Sequence, residues 1–108
     1  MINKRIFLDD LRQCKYNNPC TVIRTYDDLV NHVMIHGIPE FISFDHDLAD
    51  FDENGNERTG YDVAKFLIGY MMDNNIQVRF EYVVHSANPV GRNNIISYIE
   101  NYFTFIGV

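Results

Sequence analysis

The sequence predicts an α/β domain built on a parallel sheet of five strands in the order 2-1-3-4-5. Three observations predict it. Short apolar runs alternate with stretches of helical periodicity, so strands pair in parallel through right-handed crossovers. Three of those runs end in polar clusters: Asp9-Asp10, Asp45-His46-Asp47 and His85-Ser86. The chain has 108 residues, 46% hydrophobic and 14% aromatic, which suits one packed core and argues against disorder.

The elements follow in order. Residues 5–8 read as a short buried strand and residues 21–25 as a second, with about a dozen residues between them that leave room for a short helix at most. Thr25 and Asp28 have the spacing of a capping box, and Leu29, Val30, Val33 and Met34 form one apolar helical face that ends at Gly37 and Pro39. Residues 41–44 are a third strand. Residues 49–59 are polar and turn-rich and read as a mobile loop. Thr59 and Asp62 repeat the capping pair, and Val63, Phe66, Leu67, Tyr70 and Met71 recur at helical spacing. Residues 78–84 read as a fourth strand. Asn88 and Pro89 suit the N-cap and first turn of a helix whose inner face is Ile95, Ile96, Ile99 and Tyr102. Residues 103–108 read as a fifth strand with no helix after it. The order is that of flavodoxin-like folds, in which the segments following strands 1, 3 and 4 meet at the switch point where ligands bind.

Composition narrows the function. A net charge of -6 repels a long phosphate backbone, so no extended nucleic-acid surface is expected. A small anion can still be held by a local cation or a helix N-terminus. Cys14 and Cys20 are separated by five residues, fit no common zinc motif and read as reduced thiols. No apolar run approaches the roughly 20 residues that span a bilayer. The first residues lack a long apolar region and a cleavage site, so no membrane partner and a cytoplasmic location are expected.

The three strand-end clusters carry the candidate chemistry. Asp9, Asp10, Asp45 and Asp47 bring four carboxylates to one edge, and their repulsion is relieved by a hard divalent cation, Mg or Mn, or by protonation. The alternative is that only one or two face inward and the rest cap helices or pair with Arg12 or Arg92. Imidazole as a side-chain type titrates near neutral pH, so His46 and His85 are candidates for proton transfer, against a structural role as buried, hydrogen-bonded rings. His32 and His36 read as surface residues. The stretch from His85 to Asn94 joins a strand to a helix N-terminus. There, backbone N–H groups, Ser86, Asn88, Gly91, Arg92 and Asn94 suit a phosphate, against a plain capped junction with a surface arginine.

Leu8-Asp9-Asp10, Asp45 and Ser86 resemble the acidic pair, acceptor aspartate and hydroxyl residue of response-regulator receiver domains. The fuller set is Leu8-Asp9-Asp10-Leu11-Arg12, Ser43-Phe44-Asp45-His46-Asp47-Leu48, Thr59-Gly60-Tyr61-Asp62 and His85-Ser86-Ala87-Asn88-Pro89-Val90-Gly91. It resembles the cyclic-phosphate-processing receiver-like family over nearly the whole chain. The resemblance implies a small cytosolic domain of bacteria or their phages that acts on cyclic phosphates or related nucleotides. Receivers also place a lysine at the end of their fifth strand. The lysines here are Lys4, Lys15 and Lys65, none of them near residues 103–108, which argues against an ordinary phosphorelay switch.

Two principal readings follow. The first is a metal-assisted phosphodiesterase acting on a small cyclic phosphate or cyclic nucleotide. In it Asp9, Asp10, Asp45 and Asp47 hold the ion, and Asp10, Asp45, His46 and His85 serve catalysis. Arg12, Ser86, Asn88, Gly91, Arg92 and Asn94 bind phosphate. The second is a non-catalytic module that captures a nucleotide or docks as a degenerate receiver. A third, aspartyl phosphorylation at Asp45, is disfavoured by the absent lysine. The sequence is silent on oligomeric state.

Overall fold

A computed structural model describes residues 5–8, 21–45, 48 and 50–108. In chain order the elements are β1 (Arg5–Leu8), β2 (Thr21–Ile23), α1 (Tyr26–His36), β3 (Phe41–Phe44), β4 (Asp50–Phe51), β5 (Glu57–Arg58), α2 (Gly60–Asp73), β6 (Glu81–Val84) and α3 (Pro89–Ile106). Four strands form a parallel sheet of order β2-β1-β3-β6, the first four places of the expected order. The register sets Phe7 opposite Val22 and Ser43, and Ser43 opposite Val83.

Alternation along each strand divides the sheet into two faces. Ile6, Leu8, Ile42 and Phe44 join a single core with Leu29 and Val33 of α1, Val63, Leu67 and Met71 of α2, and Ile95, Ile99 and Phe103 of α3. The three described helices therefore pack on one face. Phe7 and Ser43 belong to the other, and both are completely buried.

Both capping pairs are present as local structure. Thr59 accepts N–H groups from Tyr61 and Asp62, and Asp62 accepts the Thr59 N–H at 2.8 Å, so α2 starts with a complete capping box. Thr25 caps α1 through the Asp28 N–H.

Three expectations are corrected. Residues 103–106 are not a fifth strand but the last turn of the 18-residue helix α3. Their aromatic and β-branched residues favour a strand locally, yet Ile95, Ile99, Tyr102, Phe103 and Ile106 lie on one helical stripe against the core. Gly107, in the left-handed conformation, ends the helix by donating its N–H to Phe103 O at 2.9 Å. The strand expected from residue 78 begins only at Glu81, where pairing with β3 begins.

The loop expected at residues 49–59 contains an antiparallel hairpin of β4 and β5. Its turn forms because the Asp52 carboxylate accepts N–H groups from Asn54 and Asn56, each at 2.9 Å, and Gly55 takes φ 82°. Those bonds, that of Asn56 foremost, hold the Asp52 carboxyl below the usual carboxylate range. The hairpin is docked on α1: Tyr26 N–H donates to Asp50 at 2.9 Å, and Arg58 pairs with Asp27 at 2.6 Å. Among the described residues no helix is long and apolar enough to cross a membrane.

Candidate functional site

The candidate site lies at the C-terminal ends of β1, β3 and β6, and backbone bonds tie those ends together. Asp45 N–H donates to Leu8 O at 3.0 Å, and His85 N–H donates to Phe44 O at 2.9 Å. Asp45, half-buried, thus sits beside the end of the strand after which Asp9 and Asp10 follow in sequence, and His85 sits one strand further along. Asp9, Asp10, Arg12, His46 and Asp47, predicted as site residues, lie outside the described residues.

His85 is held on two sides. Its Nδ1 is 2.6 Å from the Ser43 hydroxyl, and its ring stacks on Phe7 with centroids 5.0 Å apart and planes inclined by 4°. The register explains the arrangement. Phe7 and Ser43 face each other across β1 and β3, Ser43 faces Val83, and His85 lies two residues beyond Val83 on the same side of the strand. Ser43 is the residue that sequence reasoning did not single out. The available signal was a hydroxyl at an inward position of an otherwise apolar strand, since a fully buried hydroxyl needs a hydrogen-bond partner.

The junction from β6 to α3 is built around its cap. Asn88 Oδ1 accepts the Gly91 N–H at 3.0 Å, and Ser86 Oγ accepts the Asn88 N–H at 3.1 Å. Gly91 is buried in the first turn, and Pro89 has no N–H to offer. The expectation of several free donors at this helix start therefore narrows. The N–H groups of Ser86, Ala87 and Val90 are the ones without an acceptor among the described residues. Arg92 and Asn94 are exposed in the first two turns, and Arg92 forms no ion pair among the described residues. Arg92 also lines a shallow cavity of about 300 Å³ beside β6, with Val83, Val84 and Ile96.

Among the described residues no group of three His, Cys, Asp or Glu side chains gathers as a metal site. Of the four carboxylates expected to hold a cation, Asp45 alone is described. His32 and His36 are one helical turn apart with ring centroids at 4.7 Å. Partial burial first, and the neighbouring His36 second, hold the His32 imidazole below its ordinary pKa, so it is less of a plain surface residue than expected.

A parallel α/β sheet of order β2-β1-β3-β6, with Asp45 and His85 at the C-terminal ends of neighbouring strands, defines a receiver-like domain. Comparison with protein families matches residues 4–101 to the cyclic-phosphate processing receiver domain, and the chain belongs to that family. The description gives the family a role in handling cyclic phosphates. No curated protein and no solved structure matches the chain.

Proposed function

We propose that the chain is a metal-assisted phosphoesterase that opens a small cyclic phosphate or cyclic nucleotide by hydrolysis. The observation that carries this reading is the ring of His85, anchored at Nδ1 and stacked on Phe7 three residues before Asn88, the N-cap of α3. An imidazole fixed in that way is suited to move protons at its other nitrogen, beside a helix start that can hold an anion.

In this reading water attacks phosphorus and one ring P–O bond breaks. The proton lost by water and the proton gained by the departing oxygen pass through His85, with His46 as its counterpart. Arg92, Arg12 and the N–H groups at the start of α3 hold the non-bridging oxygens, where negative charge grows in the transition state. Ser86, Asn88 and Asn94 supply further polar contacts, and Gly91, having no side chain, lets the ligand approach the backbone. Asp9, Asp10, Asp45 and Asp47 are the proposed oxygen ligands of a Mg or Mn ion, whose hardness matches carboxylates and which, when bound, supplies Lewis acidity at the phosphate. The bond from Asp45 N–H to Leu8 O is compatible with that donor set, because it joins the two strand ends from which all four acids follow.

The test is incubation with a panel of cyclic phosphates and Mg or Mn, with products read by phosphorus NMR. Ring opening to a phosphate monoester is expected, falling by about 10²–10⁴-fold in His85→Ala if His85 is the acid–base group. No turnover of any member, with metal binding confirmed by calorimetry, overturns the proposal. Tight binding with the cyclic ligand recovered intact establishes the binding-module reading in its place.

A further inference from the structure

We infer that Ser43 is a positioning residue for His85: its hydroxyl holds Nδ1 in every protonation state of the ring and, with the Phe7 stack, fixes the pose of the imidazole. The inference rests on the reading of His85 as an acid–base group.

The geometry is specific. Ser43 is the one polar side chain among the fully buried described residues. It interrupts the apolar strand Phe41–Phe44 at the position that faces Phe7 on one side and Val83 on the other. A hydroxyl there is destabilising unless it is hydrogen-bonded, and the 2.6 Å contact to His85 Nδ1 supplies that bond. Stacking on Phe7, with planes 4° apart, restricts the tilt of the imidazole, and the bond to Ser43 restricts rotation within the ring plane. Two independent constraints define one pose.

The chemistry of the partner matters as much as its position. A carboxylate or a backbone carbonyl only accepts, so it favours the state with a proton on Nδ1. A serine hydroxyl both donates and accepts. When Nδ1 is bare, Ser43 donates to it. When Nδ1 carries a proton, in the other neutral tautomer or in imidazolium, that N–H donates to Ser43 Oγ. The bond therefore persists as Nε2 takes a proton from water and returns it to a leaving oxygen, and the ring does not lose its place during the cycle. No proton is consumed, and the hydroxyl only turns about its C–O bond.

Four variants test the inference: Ser43→Ala, Ser43→Val, Ser43→Thr and His85→Ala. Val and Thr have the same shape, so their difference isolates the hydroxyl, and circular dichroism checks that each variant folds. The first readout needs no substrate. Nitrogen-15 spectra of the imidazole, with His85→Ala assigning the signals, are expected to show a hydrogen-bonded Nδ1 in the wild type and in Ser43→Thr. In Ser43→Ala and Ser43→Val the Nδ1 signal should move away from its wild-type position as that bond is lost. The second readout is turnover of whichever cyclic phosphate is opened. A loss in kcat of about 10–100-fold in Ser43→Val, with KM changed less than twofold and rate restored in Ser43→Thr, is expected for a group that orients a functional side chain. Unchanged ring spectra in both Ser43→Ala and Ser43→Val overturn the inference. Altered spectra in a protein that opens no cyclic phosphate leave the anchoring in place and overturn the proposed function instead.

Discussion

At the scale of the residue, the contacts that organise this protein join positions far apart in sequence. Glu100 is the clearest stabilising example. Its carboxylate accepts a fork of two bonds from Arg79, at 3.1 and 2.8 Å, and a third from the Tyr82 hydroxyl at 2.5 Å. The Arg79 guanidinium also lies over the Phe103 ring, at 4.8 Å. The Arg79 bond first, and the Tyr82 bond second, hold the Glu100 carboxyl below its ordinary range. Because the folded pKa is the lower one, the unfolded chain binds the proton more readily. The stabilisation is present above the unfolded carboxyl pKa and is lost as pH falls through the folded one. Glu100→Gln should therefore flatten the loss of stability below about pH 4.5 in urea unfolding. At neutral pH it should cost no more than about 1 kcal/mol, since both charged partners are over a third exposed. Identical acid slopes in the two proteins would contradict this assignment. The partners are 21 and 18 positions apart, and Ser43 and His85 are 42 apart, so neither contact is written in local sequence. His85, Asp45 and Arg92 stood out because each belongs to a polar cluster at the end of an apolar run. Ser43 did not, because a single hydroxyl inside such a run looks like an ordinary strand residue until its register is known.

At the scale of the element, legibility depended on whether local and tertiary preferences agree. In α2 they do: Thr59 and Asp62 form the capping box, and the periodic Val63, Leu67 and Met71 are the buried stripe. At the end of α3 they conflict. The aromatic and β-branched residues after Tyr102 favour an extended chain, while the core is filled only if the helix continues through Phe103 and Ile106. Phe103 and Phe105 distinguish the two conformations. In a strand they would share a face. In the helix they diverge by about 200°, and Phe103 is 0% exposed while Phe105 is 82% exposed. Phe103→Ala should cost about 3–5 kcal/mol in chemical denaturation. Phe105→Ala should change stability by no more than about 0.5 kcal/mol. Comparable losses at the two positions would restore the strand. The hairpin of β4 and β5 was hidden for a related reason: its strands have two residues each, too short for any alternation to register.

At the scale of the whole molecule, the strand order was legible because alternating strands and helices leave few ways to pair, whereas the crowding of all described helices onto one face was not. The whole also sets an electrostatic condition on the proposed chemistry. A chain of net charge -6 repels the anion that the site is proposed to take, while Arg92 attracts it at short range. Salt separates the two effects. The radius of gyration is 13.2 Å. The screening length is about 30 Å at 10 mM salt and about 8 Å at physiological ionic strength. At low salt the entire charge is felt at the strand ends, and at physiological salt only the groups nearest the ligand are. The association rate of an anionic cyclic phosphate, followed by stopped flow at constant Mg, should therefore rise as NaCl increases from 10 to 150 mM. That is the opposite sign from a basic protein collecting a phosphate chain. Arg92→Gln should slow association most at the higher salt, where the local cation is the main attraction left. A rate that falls with salt would place the strand ends in positive potential despite the net charge, and the cations there would then outweigh the rest of the molecule.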